Sequence, residues 1–259
     1  MSDGDGGWRP VKSTERTLAV LEHLAVAEEP VTLSRMARDL GVPKSSLHAI
    51  LRTMQRRGWV ETDPTGSTFG LGVRATLAGA SYVDSDDVVG VAGDALDWLV
   101  ESLGETVHLG RLDGADIVYL AKRECAHPLR MFSAVGRRLP AYSTALGKAL
   151  LAGLPADRLD AHLPATLEAL TGRTVTDRYT LGAELRATGQ RGYARDDEEN
   201  SEGIRCLAVP LGTADPPEDA LSCSIPVVRF DEARVDEVVA ALREAARWIE
   251  RRLGARGRG

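Results

Sequence analysis

Lys44, Ser45, Ser46, His48 and Arg52 sit within the stretch LSRMARDLGVPKSSLHAILRTMQRR, residues 33–57, and at helical spacing they share one outward face. The chemistry open to such a face is hydrogen bonding to nucleic acid. Short hydroxyls beside a helix N-terminus suit phosphate oxygens, and a histidine or arginine one or two turns further along suits base edges in a major groove. Arg56, Arg57 and the turn from Thr65 to Ser67 fall where they would touch phosphates, which position a protein without reading sequence. Helix capping is the alternative for Ser45 and Ser46, and plain solvent exposure is the alternative for the two arginines.

Presenting that face requires two short helices and a sharp turn. Ala37 allows the helices to approach closely, Gly41 permits left-handed backbone, and Pro43 suits a first helical turn. Val42, Leu47, Ile50 and Leu51 supply an apolar stripe on the opposite side, which completes a helix-turn-helix. A purely structural helical hairpin shares these features. Charge alone does not separate the two, since a solvated helix face would carry it as well, but read locally it fits phosphate binding. The chain has a net charge of −6, but between residues 35 and 57 Arg35, Arg38, Lys44, Arg52, Arg56 and Arg57 face a single acid, Asp39.

The flanking pattern extends this unit. Ser13 or Thr14 is placed to cap a first helix carrying Leu18, Leu21, Leu24 and Ala25, Pro30 closes the next loop, and Thr32 is placed to cap the second helix. The third helix is expected from Pro43 to Gly58. Trp59 to Gly72 then reads as a hairpin turning at Asp63, Pro64 and Gly66, a wing that would bury Trp59 or Phe69. A linker helix is expected from Val73. Asp86 is placed to cap a long helix ending near Gly104, and paired strands around Asp113-Gly114 follow. Further strands are expected near 129–133 and 137–140. After them come a helix from Ser143-Thr144 to Pro155, a helical hairpin region to Gly192, and an acidic turn over GYARDDEEN. Strands over 204–211 and 220–228 and an amphipathic helix from Asp231 to Leu253 close the chain, before a basic tail expected to fray.

Composition excludes several classes. No apolar run approaches the roughly 20 residues that span a bilayer, and MSDGDGGWRP is not a secretory signal. Three scattered cysteines, Cys125, Cys206 and Cys223, suggest no disulfide framework, so a reduced, cytoplasmic protein is expected. His23, His48, His108, His127 and His162 show no HxxxH or HxH spacing and no CxxC occurs, so neither metal nor cofactor is expected. An enzyme remains a rival, with Cys206 as a conceivable thiol nucleophile. No catalytic signature surrounds it, and no catalytic residue is assigned.

The ordered blocks SxERTLAVLEHLA (13–25), GVPKSSLHAILRTMQRRGWV (41–60), FGLG (69–72), GETVHLG (104–110), LRMFSAVGRRLPAYSTALGKALLAGL (129–154), GYARDDEENSEGIRCLAVPL (192–211) and ALSCSIP (220–226) resemble the IclR family of bacterial transcriptional regulators. The resemblance implies an α+β protein with an N-terminal winged helix-turn-helix and a C-terminal GAF-like α/β effector-binding domain. The expected division is a disordered lead at 1–12, a DNA-binding domain at 13–72, a linker helix at 73–85 and the effector domain at 86–253. It further implies double-stranded operator DNA and a small-molecule effector as partners. Assembly as a homodimer through the DNA-binding halves, or as a homotetramer, is also implied. The family's small-carboxylate binders place Leu129, Met131, Leu139, Ala145, Leu146, Asp196, Ile204, Cys206, Ser222 and Ser224 around the ligand. Ala145 and Gly147 at a helix start would leave N–H groups for an anion, and the serine hydroxyls would add to them. Asp196 beside an anion would need a ligand hydroxyl, a water or its own proton, which hints at a hydroxylated acid such as a sugar acid. Repression relieved by ligand is the expectation from family frequency. A C-terminal domain serving only for assembly is the other rival, and Leu129, Met131 and Cys206 are equally at home in a core.

Overall fold

The computed structural model describes residues 10–27, 29–129 and 133–256, and the chain divides into one compact unit through Tyr82 and another from Val83. The expected disordered lead falls mostly on residues outside that description.

In the N-terminal unit, α1 (Lys12–Ala25), α2 (Leu33–Asp39) and α3 (Lys44–Arg56) close around Val20, Leu24, Met36, Leu47, Leu51 and Met54. Neither Ser13 nor Thr14 caps α1. Val11 holds the cap position without a side-chain bond, and the Ser13 carbonyl accepts from the Thr17 hydroxyl inside the helix. Thr32 does cap α2, accepting from the Arg35 N–H at 3.2 Å. Gly41 turns the chain with φ +62°, and Val42 donates back to the Ala37 carbonyl. Pro43 is the cap position just before α3, and the helix stops at Arg56, with Gly58 at φ +74° beyond it.

The wing consists of β2 (Val60–Thr62) and β3 (Thr68–Leu71), which bury Phe69 and half-bury Trp59. A two-residue strand, Val31–Thr32, which precedes β2 in the chain, pairs on the other edge of β3. It is too short to show a period in sequence. The base of the wing is fastened to the end of α3: Gly72 donates to the Trp59 carbonyl and Arg74 to that of Gly58. A β-carbon on Gly72 would run into the Gly58 backbone. The following helix, α4 (Val73–Ser85), has no buried residue.

The C-terminal unit is a six-stranded antiparallel sheet between two helical layers. We label its strands β4 (Thr106–Asp113), β5 (Asp116–Arg123), β6 (Arg138–Pro140), β7 (Ala194–Asp197), β8 (Ile204–Pro210) and β9 (Asp219–Pro226), arranged in the order β6-β5-β4-β9-β8-β7. One core lies between the sheet and the helices α5 (Asp87–Leu103) and α9 (Val235–Arg256), where Val235, Val238, Val239, Leu242, Ala246 and Ile249 are all buried as their spacing requires. The second core lies under α6 (Ala145–Leu151) and α8 (Arg178–Arg191), with α7 (Ala156–Leu159) between them in sequence. Asp86 caps α5 through the N–H groups of Val88 and Val89, and Gly104 ends it in left-handed backbone.

Three expectations are corrected. GYARDDEEN is not simply a turn, because Ala194–Asp197 pairs with β8 in register Asp196↔Cys206 and forms the edge strand β7. Its residues carry no apolar alternation, and only the neighbouring strand makes them β. The region after Pro155 is not a helical hairpin. Residues 163–177 hold no α-helix, and there Thr171 and Thr174 hydroxyls donate to the carbonyls of Glu198 and Glu199. Finally, α6 ends at Leu151, before Pro155, and α9 begins at Val235, after a short 3-10 turn. The strand expected near 129–133 falls largely on residues outside the description.

Candidate nucleic-acid interface and ligand recess

On α3 the inner face is sealed by Leu47, Leu51 and Met54, so the outer face is free for other work. Lys44, Ser45, His48, Arg52, Arg56 and Arg57 are exposed, and Ser46 is half-buried. Ala49 and Gln55 are exposed as well and extend that stripe beyond the hydroxyl, histidine and basic residues expected from sequence. Asp39, the one acid in the segment, lies 3.6 Å from Arg35, 3.4 Å from Arg38 and 3.7 Å from the His23 ring. It is therefore engaged at the ends of α1 and α2, away from the polar stripe.

The wing tip is organised differently from the expectation for a phosphate clamp. Asp63 accepts from the N–H groups of Thr65, Ser67 and Thr68 and from the hydroxyls of Thr65 and Ser67. The hydroxyl of Thr65, followed by the Thr68 N–H, holds the Asp63 carboxyl far below the usual range. Both candidate hydroxyls are thus turned inward onto a carboxylate. With both hydroxyls engaged within the turn and a carboxylate at its centre, this tip offers a phosphate neither a cation nor a hydroxyl donor.

The C-terminal unit has a recess, partly open to solvent, between the start of α6 and strands β5, β7, β8 and β9. Of the sequence-predicted ligand residues, Ala145, Leu146, Asp196, Ile204, Cys206, Ser222 and Ser224 line it together. Leu139 is buried in the core beside Ile117 and does not line it. Leu129 is exposed, and its carbonyl accepts from Arg229, which is itself held by Glu105. Met131 lies outside the described residues. Tyr119, Thr144, Asn200 and Ser201 were missed. Tyr119 could have been found from its alternation with Ile117 along β5, but Asn200 and Ser201 carry no signal once β7 is read as a turn.

Most polar groups of the recess are already committed. The Thr144 hydroxyl accepts from the Gly147 N–H, so the small-residue helix start is capped by its own chain, and the helix is only seven residues long. Asn200 donates to Ser143, and the Ser201 hydroxyl to Asn200. Cys206 donates its thiol hydrogen to Ser224 at 3.3 Å, and burial pushes that thiol well above its ordinary range, which keeps it from acting as a thiolate. Among the described residues no lysine or arginine lines the recess.

Asp196 is the carboxyl of the lining. Burial raises its carboxyl to about 7, against the pull of the Glu199 N–H at 2.7 Å and the charge of Lys148. Behind it, fully buried Lys148 forms an ion pair with Glu199, whose Oε2 has no hydrogen-bond partner in the structure. Perturbed carboxyls in a concave site mark function more often than they serve stability. Among the described residues no group of three His, Cys, Asp or Glu side chains is gathered as a metal would need. Among the described residues no helix is long and apolar enough to cross a membrane.

Two family models account for most of the chain. The IclR helix-turn-helix domain matches residues 13–64, and the bacterial transcriptional regulator IclR C-terminal domain matches 80–251. The chain is 37% identical over 251 residues to the glycerol operon regulatory protein of Streptomyces coelicolor, covering 95% of this chain and 98% of that one. It is 33% identical to the transcriptional repressor IclR of Escherichia coli, over 92% of this chain and 89% of that one. Among solved structures, an IclR homolog from Microbacterium hydrocarbonoxydans complexed with 4-hydroxybenzoate superposes with a TM-score of 0.77 at 26% identity, covering 94% of this chain and 99% of the other.

Proposed function

The chain belongs to the IclR family of DNA-binding bacterial transcriptional regulators, and from that premise we propose that it is a repressor released from its operator by a small carboxylate effector. The observation that carries the reading is α3, sealed on one side by Leu47, Leu51 and Met54 and presenting Lys44, Ser45, His48, Arg52 and Arg56 on the other. In this reading His48 and Arg52 meet base edges, and Lys44, Ser45, Arg56 and Arg57 meet phosphates. Leu18 on α1 and Val73 and Leu77 on α4 remain exposed in a single copy, which supports pairing of two chains through the DNA-binding halves.

Two copies then offer six phosphate-binding cations. Binding of the full-length protein to DNA from its own promoter region should weaken roughly 10³-fold between about 50 and 200 mM salt. A salt-independent affinity in a fluorescence-anisotropy titration would remove the phosphate-dominated interface. Arg52→Ala should cost about 1–3 kcal/mol, roughly 5- to 150-fold, on the operator but little on unrelated DNA. Arg57→Ala should weaken both alike, so equal losses for both variants on both DNAs would deny Arg52 a reading role.

The acid-effector reading rests on a recess of buried hydroxyls and a strained carboxyl, and on the aromatic acid bound by the Microbacterium homolog. Acting through linkage, the effector shifts the protein toward the arrangement that fits the operator poorly, by no more than its differential affinity for the two states. A C-terminal unit that served assembly alone would show no saturable rise in melting temperature with any acid.

A further inference from the structure

Directly behind the recess lies a buried polar file that the DNA-binding and effector roles leave unexplained. His108 on β4 is fully buried, stacked on the Tyr119 ring with centroids 4.4 Å apart. Its Nε2 is 2.8 Å from the Ser133 hydroxyl and its Nδ1 3.5 Å from the Ser224 hydroxyl, while Cys206 donates to that same Ser224 oxygen. Ser224, Cys206 and Tyr119 line the recess; His108 does not. Lys122, with Glu124 beside it, donates to the Ser133 carbonyl. Burial first, then the Lys122 charge, pushes His108 down to about 3, so the ring is neutral with one donor and one acceptor nitrogen.

The two tautomers present opposite faces to a ligand. With the proton on Nε2, Nδ1 accepts from Ser224, whose hydroxyl hydrogen is then turned away from the recess. With the proton on Nδ1, Ser224 oxygen accepts from both His108 and Cys206, and its own hydrogen is left to donate into the recess. An anion needs donors. Among the described residues no cation lines the site, and Thr144, Asn200 and Ser201 already serve bonds within the chain, which leaves the hydroxyls of Tyr119, Ser222 and Ser224. We propose that His108 is a positioning residue, held as the Nδ1–H tautomer by Ser133, which orients the Ser224 hydroxyl as a donor to the effector's carboxylate. This rests on the acid-effector reading. It places the recognition of an acceptor oxygen on strands β4 and β9, opposite Asp196.

The test has two independent parts. Long-range ¹H–¹⁵N correlation on the full-length protein should show His108 protonated on Nδ1 with no ligand added; an Nε2–H ring overturns the inference whatever binds. Pyruvate and 4-hydroxybenzoate are then titrated calorimetrically as a small and an aromatic acid. His108→Phe keeps the stack on Tyr119 but loses both nitrogens, and should weaken the acid that binds by about tenfold. His108→Asn, whose amide N–H can take the place of Nδ1–H, should restore most of it, and Ser224→Ala should add nothing to His108→Phe. Full affinity in His108→Phe, or additive losses, overturns the inference. If neither acid binds the native chain, the acid-effector reading suffers, and the tautomer still decides the orientation of Ser224.

Discussion

Lys148→Met should destabilise the C-terminal unit by about 3–5 kcal/mol, a fall in melting temperature on the order of 10 °C, with the DNA-binding face untouched. Lys148 is 1% exposed and Glu199 7%, so the substitution leaves a carboxylate in the core without its counter-charge. The position of Glu199 is imposed from several sides. Its N–H donates to Asp196, its carbonyl accepts from Thr174, and its Oε1 meets Lys148. Because the loss comes from breaking the pair and not from the pair's own strength, Lys148→Met combined with Glu199→Gln should recover most of it. Calorimetric melting of the two variants side by side decides this. A single variant that melts with the wild type would show that water reaches the pair.

The opposite sign is expected at Asp196. Its carboxyl is held at about 7 in the fold against an ordinary 3.8, so the folded state binds the proton more tightly than the unfolded one. Stability is therefore highest at acid pH and is lost as pH rises through the window from about 4 to 7, at about 1.36 kcal/mol per unit. Asp196→Asn keeps an oxygen for the Glu199 and Asn200 N–H groups and removes the charge. It should stabilise the protein at pH 8 by about 3–4 kcal/mol and leave it nearly unchanged below pH 4. A melting curve against pH that keeps its wild-type slope in the variant would assign the slope elsewhere. The groups facing Asp196 are Lys148, Glu199, Asn200, Cys206 and Tyr119; the N–H groups of Glu199 and Asn200 and the Lys148 charge favour its charged form, and the Glu199 carboxylate adds to burial in opposing it. A residue whose removal stabilises the fold is kept for its chemistry, so the same variant is expected to lose its response to effector.

Local rules read the N-terminal unit almost completely. Ala37, Gly41 and the apolar stripe mark a helix-turn-helix because turn geometry and helical period are local signals, and the Thr32 cap and Gly58 stop are of the same kind. The effector unit was legible where period was strong: α5, the β4–β5 hairpin, β8, β9 and the apolar face of α9. It was not legible where a partner decides. ARDD is a strand only because Cys206 and Leu207 lie beside it, and the segment around Thr171 is irregular because its hydroxyls serve the carbonyls of Glu198 and Glu199.

The amino-acid sequence by itself determined that this chain carries a cationic reading helix ahead of an acidic α/β unit, since charge and helical period are local properties. Only the tertiary structure decided which polar groups remain for a ligand. Thr65 and Ser67 are spent on Asp63, Thr144 on Gly147 and Cys206 on Ser224, while Asp196 is driven toward neutrality. Hydrogen-bond satisfaction and desolvation depend on what surrounds a group in space, and residues far apart in the chain supply those surroundings.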